Sequence, residues 1–306
     1  MKPKVIVIVG PTASGKTSLS IELAKQIKGE IISCDSMQIY KDMNIGTAKV
    51  TEDEMQGICH YLIDFVSPDE RYSVADYKVD SEKAIEKIIS KGKTPIIVGG
   101  TGLYVDSLIY GIEYPEIKFD EKYRNELEKE ADEKGLETLY NKAKEIDEQA
   151  MQKISINDRK RIIRVLEIYH ATGKNKTEQE IESRKKEIKY DYKIFAINMD
   201  REKLYERINI RVDRMLENGL IEEVEKLQKK YNHFPTAMQG LGYKEVVEYL
   251  QSQITREEMI EKIKQESRRY AKRQLTWFRK NKQTIWIDGL ANLEDNINII
   301  EKELNK

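Results

Sequence analysis

The sequence predicts an α/β protein, a doubly wound parallel sheet interrupted by a helical insertion. Three observations predict it. Short β-branched runs alternate with stretches of helical period over most of the chain, the pattern of βαβ units. The first run, VIVIV at 5–9, feeds a glycine-rich turn. Between 117 and 190 the alternation stops, and helical segments follow one another with almost no β-branched run.

Residues 5–9 are apolar at every position, as a strand buried on both faces of a parallel sheet requires. Residues 17–28 then take helical period. Apolar runs at 30–34, 61–66, 94–98, 193–198 and 284–287 read as further strands. Within the insertion, 121–134 and 158–172 read as helices, the second stopped by Gly173. After the strand at 193–198, Asp200 reads as the N-cap of a helix over 201–218, with Gly219 as its stop. Helical period continues over 220–231, 243–251 and 256–279. The expected domains are a core, 1–116 with 191–306, and a helical insertion, 117–190.

A chain of 306 residues suits about two domains and a core that needs no disulfide or metal staple. Charged residues make up 35%, above the usual level of about 25%, which suits long solvated helices. Lys plus Arg is 53 and Asp plus Glu 54, a net charge of −1, so global charge attracts neither nucleic acid nor a membrane, while a local patch stays open. The only cysteines are Cys34 and Cys59, without Cys-x-x-Cys, which excludes a disulfide scaffold and a cysteine-rich zinc site. No apolar run is long enough to span a bilayer, and the first residues lack a signal-peptide core. A cytoplasmic protein with reduced thiols is expected. His60, His170 and His233 show no metal spacing and read as structural.

Gly10-Pro11-Thr12-Ala13-Ser14-Gly15-Lys16-Thr17 fits G-x-x-x-x-G-K-[ST] between an expected strand and an expected helix, the context that gives this pattern meaning. Backbone N–H groups and the helix N-terminus would converge on phosphate oxygens. Lys16 would hold terminal oxygens and Thr17 would ligate Mg²⁺. The pattern predicts a P-loop NTPase-like core and a di- or triphosphate ligand, not ATP in particular.

The second strand runs into Asp35-Ser36-Met37-Gln38-Ile39-Tyr40. Ligands of doubly wound sheets sit at the carboxyl ends of strands, so Asp35 either accepts a proton or touches the Mg²⁺ shell there, or it is a turn or N-cap aspartate. Gly99-Gly100-Thr101-Gly102 follows the strand at 94–98. It reads either as a second phosphate-adjacent loop, with the Thr101 hydroxyl aimed at a leaving-group oxygen, or as a tight turn. Two basic segments stand out. Residues 159–164 hold Arg159, Lys160, Arg161 and Arg164, and 256–282 hold ten Lys/Arg against four Glu, interleaved with aromatics. Both suit a nucleic-acid backbone with a stacked base, or a solvated helix face. Arg207, Arg211 and Arg214 share a helix face, as a phosphate clamp or a salt-bridged surface.

Together GPTASGKT at 10–17, DSMQIY at 35–40, GTAK at 46–49, YLID at 61–64, GGTGLY at 99–104, NDRKRIIRVLE at 157–167, RVDRMLENGLIEEV at 211–224, QGLGYKE at 239–245 and RRYAKRQLTWFR at 268–279 resemble the tRNA dimethylallyltransferase family, also called tRNA isopentenyltransferases. The matches run in order over nearly the whole chain.

The resemblance implies transfer of a dimethylallyl group from dimethylallyl diphosphate to N6 of the adenosine 3′-adjacent to the anticodon, in tRNAs reading codons that begin with U. Diphosphate is released. It makes Asp35 the general base and Thr101 its neighbour at the donor's bridging oxygen. Residues 10–17 and Arg211 would hold the diphosphate, with Mg²⁺ on Thr17. The RNA would be held by Asp35, Ser36, Met37, Gln38 and Thr101 in the core, and by Arg124, Lys160, Arg161, Ile162, Ile163 and Arg164 in the insertion. The partners implied are the tRNA anticodon stem-loop and dimethylallyl diphosphate, with no membrane and a monomeric protein. Two positions depart from the family pattern: Tyr61 follows His60 where a second histidine is usual, and Arg159 stands where proline is common. The chain stops soon after Trp286, short of the zinc finger of eukaryotic relatives, so a bacterial-type enzyme is expected. A small-metabolite P-loop kinase and a P-loop RNA-binding switch are the competing readings. ATP turnover without RNA would favour the first. Tolerance of Asp35→Asn would favour the second.

Overall fold

The structure, a computed structural model, describes residues 2–114, 120–185 and 187–304. Six strands, β1 (Lys4–Val9), β2 (Gly29–Cys34), β3 (His60–Tyr61), β4 (Thr94–Gly99), β5 (Asp191–Asn198) and β6 (Ile285–Asp288), form one parallel sheet in the order β3-β2-β4-β1-β5-β6. The helices between them are α1 (Lys16–Gln26), α2 (Glu52–Met55), α3 (Val74–Ser90) and α4 (Gly102–Ile109). Then come α5 (Glu121–Lys134), α6 (Leu136–Ile146), α7 (Glu148–Met151), α8 (Arg159–Thr172) and α9 (Lys176–Arg184). After β5 follow α10 (Arg201–Glu217), α11 (Leu220–Lys230), α12 (Tyr243–Leu250), α13 (Arg256–Phe278) and, after β6, α14 (Leu293–Leu304).

The strand order places the switch in winding direction between β1 and β4, where open α/β sheets bind ligands. Val9 and Cys34 both pair with Gly99, so β1, β2 and β4 end level. The residues that follow, Gly10, Asp35 and Gly100, therefore emerge side by side.

Ile6, Ile8, Ile31, Ile96 and Phe195 pack on one sheet face against Leu19, Leu23 and Ala24 of α1 and Ile297 and Ile300 of α14. A second core joins α10 to α13 through Val212, Leu220, Val224, Tyr243, Met259 and Ile263, and takes in Ile39, Tyr40 and Met43 from the segment after β2. That packing fixes the chain immediately downstream of Asp35. Caps fall where side-chain chemistry sets them: Asp158 accepts from the Arg161 N–H, Asp200 from those of Glu202 and Lys203, and Gly173 and Gly219 take positive φ at helix ends.

One expected strand is much shorter than its apolar run. Of 61–66, only Tyr61, with the preceding His60, pairs with β2. Leu62 and Asp64 both sit at φ 57°, which turns the chain out of the ladder. Val66 returns as a single bridge to Tyr40 and is buried in the second core. The hydrophobicity there serves helix packing instead of strand pairing.

By packing the chain divides into two compact units, Met1–Val105 with Lys189–Lys306, and Asp106–Ile188. The second has a core of its own built on Leu127, Leu139, Ala143, Met151, Ile162 and Leu166. The boundary expected at 116 and 117, and the chain ends 1 and 306, lie outside the described residues.

Candidate active site

The loop after β1 wraps the start of α1 with Gly15 in a left-handed conformation at the helix N-cap. Lys16 is half-buried, and its Nζ donates to the carbonyls of Gly10 (3.0 Å) and Pro11 (2.7 Å). Its pKa falls to about 7, first through burial and then through the nearby Arg211 guanidinium, with Asp35 opposing. Burial lowers Arg211 as well, and Asp35 again opposes. Two cations thus share one poorly hydrated site with a single carboxylate, a charge imbalance that an anion would relieve. The Ser14 hydroxyl beside them is buried without a hydrogen-bond partner among the described residues.

Asp35 Oδ1 accepts from the N–H groups of Met37 (2.9 Å) and Gln38 (3.3 Å). Asp35 is therefore a turn aspartate, and among the described residues its Oδ2 has no donor. Thr101 Oγ1 accepts from the Ser36 N–H at 3.0 Å, while the Thr101 N–H donates to the Cys34 carbonyl at 3.2 Å. The loops after β2 and β4 are thereby bonded to each other.

Two cavities meet at Asp35. The smaller, about 100 Å³, is lined by Lys16, Thr17, Gln38, Gly99 and Gly100; the larger, about 310 Å³, by Ser36, Met37, Ile208, Met215, Leu241 and Tyr243. Thr12, Asp35, Arg211 and Tyr270 line both. The smaller holds Lys16 and shares Arg211 with the larger, which mixes apolar side chains with Lys244, Glu266 and Arg273, and the Asp35 carboxylate stands at the junction.

Thr12, Lys16, Thr17, Asp35, Ser36, Met37, Gln38 and Arg211 are thus brought together, and Thr101 is bonded to them through Ser36. The insertion residues lie in the second unit. Lys160 and Arg161 are exposed on α8, and Arg164 pairs loosely with Glu167 (3.4 Å). Arg124 bonds Glu167 at 3.0 Å. Ile162 and Ile163 are fully buried and fill the core of this unit. Their side chains do not reach the surface, so a contact with RNA at these two positions would have to run through the backbone.

Two residues of α13 were not singled out from the sequence. Gln274 Oε1 accepts from the Thr12 N–H (2.9 Å) and its Nε2 donates to the Gly100 carbonyl (3.0 Å). Tyr270, one turn earlier, lines both cavities, and burial raises its phenol above the ordinary tyrosine value. The signal was present: Met259, Ile263, Ser267, Ala271, Gln274 and Phe278 form the buried stripe of α13, and a glutamine on such a stripe needs partners. The aromatics read as a stacking surface are partly structural, since Trp277 fills the space beside Gly102.

Thr17 is exposed at the start of α1 and lines the smaller cavity with Asp35. Among the described residues no three His, Cys, Asp or Glu side chains could hold a metal. One hydroxyl with a carboxylate nearby fits Mg²⁺, which keeps waters and phosphate oxygens in its shell, and does not fit a metal needing a full protein cage. No helix among the described residues is long and apolar enough to cross a membrane.

A parallel α/β sheet carrying a phosphate loop, with a carboxylate at the junction of two cavities, is the frame of a P-loop enzyme of group transfer from a phosphorylated donor. Comparison makes this specific. The IPP transferase family matches residues 38–281. A tRNA dimethylallyltransferase of Acetivibrio thermocellus is 55% identical, covering 93% of this chain and 91% of the relative. One of Bacillus cereus is 47% identical, covering 94% and 90%. The crystal structure of a tRNA isopentenylpyrophosphate transferase from Bacillus halodurans aligns with a TM-score of 0.74 at 42% identity, covering 99% of this chain and 96% of that one. A eukaryotic dimethylallyltransferase, captured acting on tRNA, aligns with a TM-score of 0.79 at 34% identity, covering 94% and 74%. The chain belongs to the IPP transferase family and is a transferase.

Proposed function

We propose that this chain transfers a dimethylallyl group from dimethylallyl diphosphate to N6 of the adenosine 3′-adjacent to the anticodon, in tRNAs that read codons beginning with U, and releases diphosphate. The observation that carries the reading is the placement of Asp35 at the junction of the two cavities, beside the paired cations Lys16 and Arg211.

The chemistry follows from that placement. Adenine N6 is a weak nucleophile because its lone pair is delocalised into the ring. The C1–O bond of the allylic donor must therefore break readily, and the charge growing on the leaving oxygen must be neutralised. Lys16 gives up its two loop carbonyls for phosphate oxygens, and Arg211 approaches from α10. Thr17 would hold Mg²⁺, which would supply further positive charge there. Thr101 reaches the bridging oxygen. As the N6–C1 bond forms, Asp35 Oδ2 accepts the proton from N6, while Oδ1 stays fixed by its two N–H donors. Ser36 and Met37 in the larger cavity, with Gln38 beside them in the smaller, would contact the base or its neighbours, and the base must leave the anticodon-loop stack to reach them. Arg124, Lys160, Arg161 and Arg164 supply contacts to the RNA backbone.

The test is incubation with unmodified anticodon stem-loop RNA, dimethylallyl diphosphate and Mg²⁺, followed by nucleoside mass analysis. An adenosine heavier by one prenyl unit is expected. RNA binding with no product, or ATP turnover without RNA, would overturn the reading.

A further inference from the structure

Glu223 lies on α11, lines neither cavity, and is 8% exposed. Its Oε2 accepts from the N–H groups of Asn44 (2.9 Å) and Ile45 (2.8 Å), and its Oε1 from the Gly46 N–H (3.2 Å) and the Tyr243 hydroxyl (2.6 Å). Four donors use the accepting capacity of one carboxylate. Three successive N–H groups turned towards one point form an anion nest, so the path of 44–46 is held by the charge at its centre. Tyr243 and Leu220 press against Gly46 and leave no room for a side chain there.

The next residue connects this nest to the site. The Thr47 carbonyl accepts from Arg211 Nη2 at 3.2 Å and from Gln38 Nε2 at 3.3 Å. Arg211 sits on α10, and α10 joins α11 through Gly219, which takes positive φ. The constraints close on themselves: α11 carries Glu223, Glu223 sets 44–46, Thr47 holds Arg211, and Arg211 returns through α10 to α11.

We propose that Glu223, supported by Tyr243, is a positioning residue that aims Arg211 at the diphosphate. The proposal rests on Arg211 being a diphosphate ligand. A carboxylate serving fold stability alone would also be buried and bonded, but its loss would not be coupled to Arg211.

The test measures binding of inorganic diphosphate with Mg²⁺ by titration calorimetry, together with the melting temperature, for the full chain and for Glu223→Gln, Arg211→Gln and the double variant. The glutamine keeps the size but turns an NH₂ group towards an N–H donor. About tenfold weaker binding is expected for Glu223→Gln, and no further loss when it is added to Arg211→Gln. Unchanged affinity in Arg211→Gln alone would overturn the ligand reading. A loss in Arg211→Gln to which Glu223→Gln adds its full factor would overturn the positioning role. Should Glu223→Gln fail to fold, Tyr243→Phe removes one donor and keeps the ring. It is expected to weaken binding about threefold in the native background and not at all beside Arg211→Gln, and equal losses in both backgrounds would overturn the proposal.

Discussion

Gln274 and Gly100 interlock. The side-chain amide of Gln274 donates to the Gly100 carbonyl at 3.0 Å, and a Cβ at Gly100 would collide with that amide nitrogen. Since Gln274 also accepts from Thr12, one amide from α13 ties the phosphate loop to the loop bearing Thr101. The amide supplies the acceptor and the donor on separate atoms, one for each loop. Gln274→Glu keeps the acceptor, loses the donor and places an anion beside the diphosphate. We expect its kcat to fall about a hundredfold, with Gln274→Met intermediate, in single-turnover transfer assays at saturating donor. Near-native rates in both variants would refute the clamp.

The proposed base role would give Asp35 two duties on two oxygens, which changes how its variants should be read. The Asp35→Asn variant would retain an Oδ1 for the N–H groups of Met37 and Gln38, whereas Asp35→Ala would lose the turn as well as the base. Asp35→Asn is therefore expected to lower transfer by about 10³-fold while stem-loop affinity stays within a few-fold. Asp35→Ala should add a loss of RNA affinity through Ser36, Met37 and Gln38. Equal losses of rate and affinity in Asp35→Asn would sink the base assignment.

The phosphate loop, Asp35 and the GGTG turn were legible in the sequence because each follows a strand whose apolar run is local and unambiguous. Gln274 and Glu223 were not, because the loops they hold lie 174 to 262 and 177 to 179 residues away. A glutamine or glutamate inside a charged amphipathic helix looks the same whether it faces solvent or a distant loop. The run at 61–66 misled in the other direction. Val66 is buried as expected of a strand residue, but the burial is against helices, and hydrophobicity does not report which backbone partner is present.

Lys16 should make donor binding pH-dependent. With its pKa lowered to about 7 from 10.5, the folded chain holds less of this proton than the unfolded chain between those values, so this group makes stability rise with pH across that window. Diphosphate favours the charged ammonium and raises its pKa again. Calorimetry at pH 8 in buffers of different ionisation enthalpy is expected to show uptake of up to about one proton per diphosphate bound. Lys16→Met should abolish the uptake, and an unchanged value would assign the proton elsewhere.

Glu30 sets an acid limit on stability at the opposite end of β2. Burial alone would raise its pKa, but hydrogen bonds from Lys93, Lys91 and Tyr61 outweigh it and hold the value at about 2, below 4.5. The contribution is complete above about 4.5 and is lost as pH falls towards 2. The lysines are partly exposed, so solvent screening limits the effect to about 2 kcal/mol. Urea unfolding of the native chain and Glu30→Gln is expected to differ by that amount at pH 6 and by progressively less as pH falls from about 4.5 towards 2. A constant difference would exclude the linkage.

Arg159 and Arg161 stand two residues apart on α8 and should fail in different ways. The guanidinium of Arg159 bonds Asp132 at 2.7 Å and also reaches Glu128, so it ties α8 to α5. Among the described residues Arg161 is paired only with Asp158 of its own helix end at 3.3 Å, and its side chain is 67% exposed. A surface pair of that kind is weak and readily exchanged for phosphate. Arg161→Ala is expected to leave the melting temperature unchanged and to reduce the slope of log affinity for stem-loop RNA against log salt by about one unit or slightly less. Arg159→Ala should lower the melting temperature of the insertion and leave that slope nearly intact. The comparison is made by fluorescence anisotropy between 50 and 200 mM salt, roughly the range over which phosphate contacts dominate, and an Arg161→Ala slope equal to that of the native chain would remove Arg161 from the RNA interface.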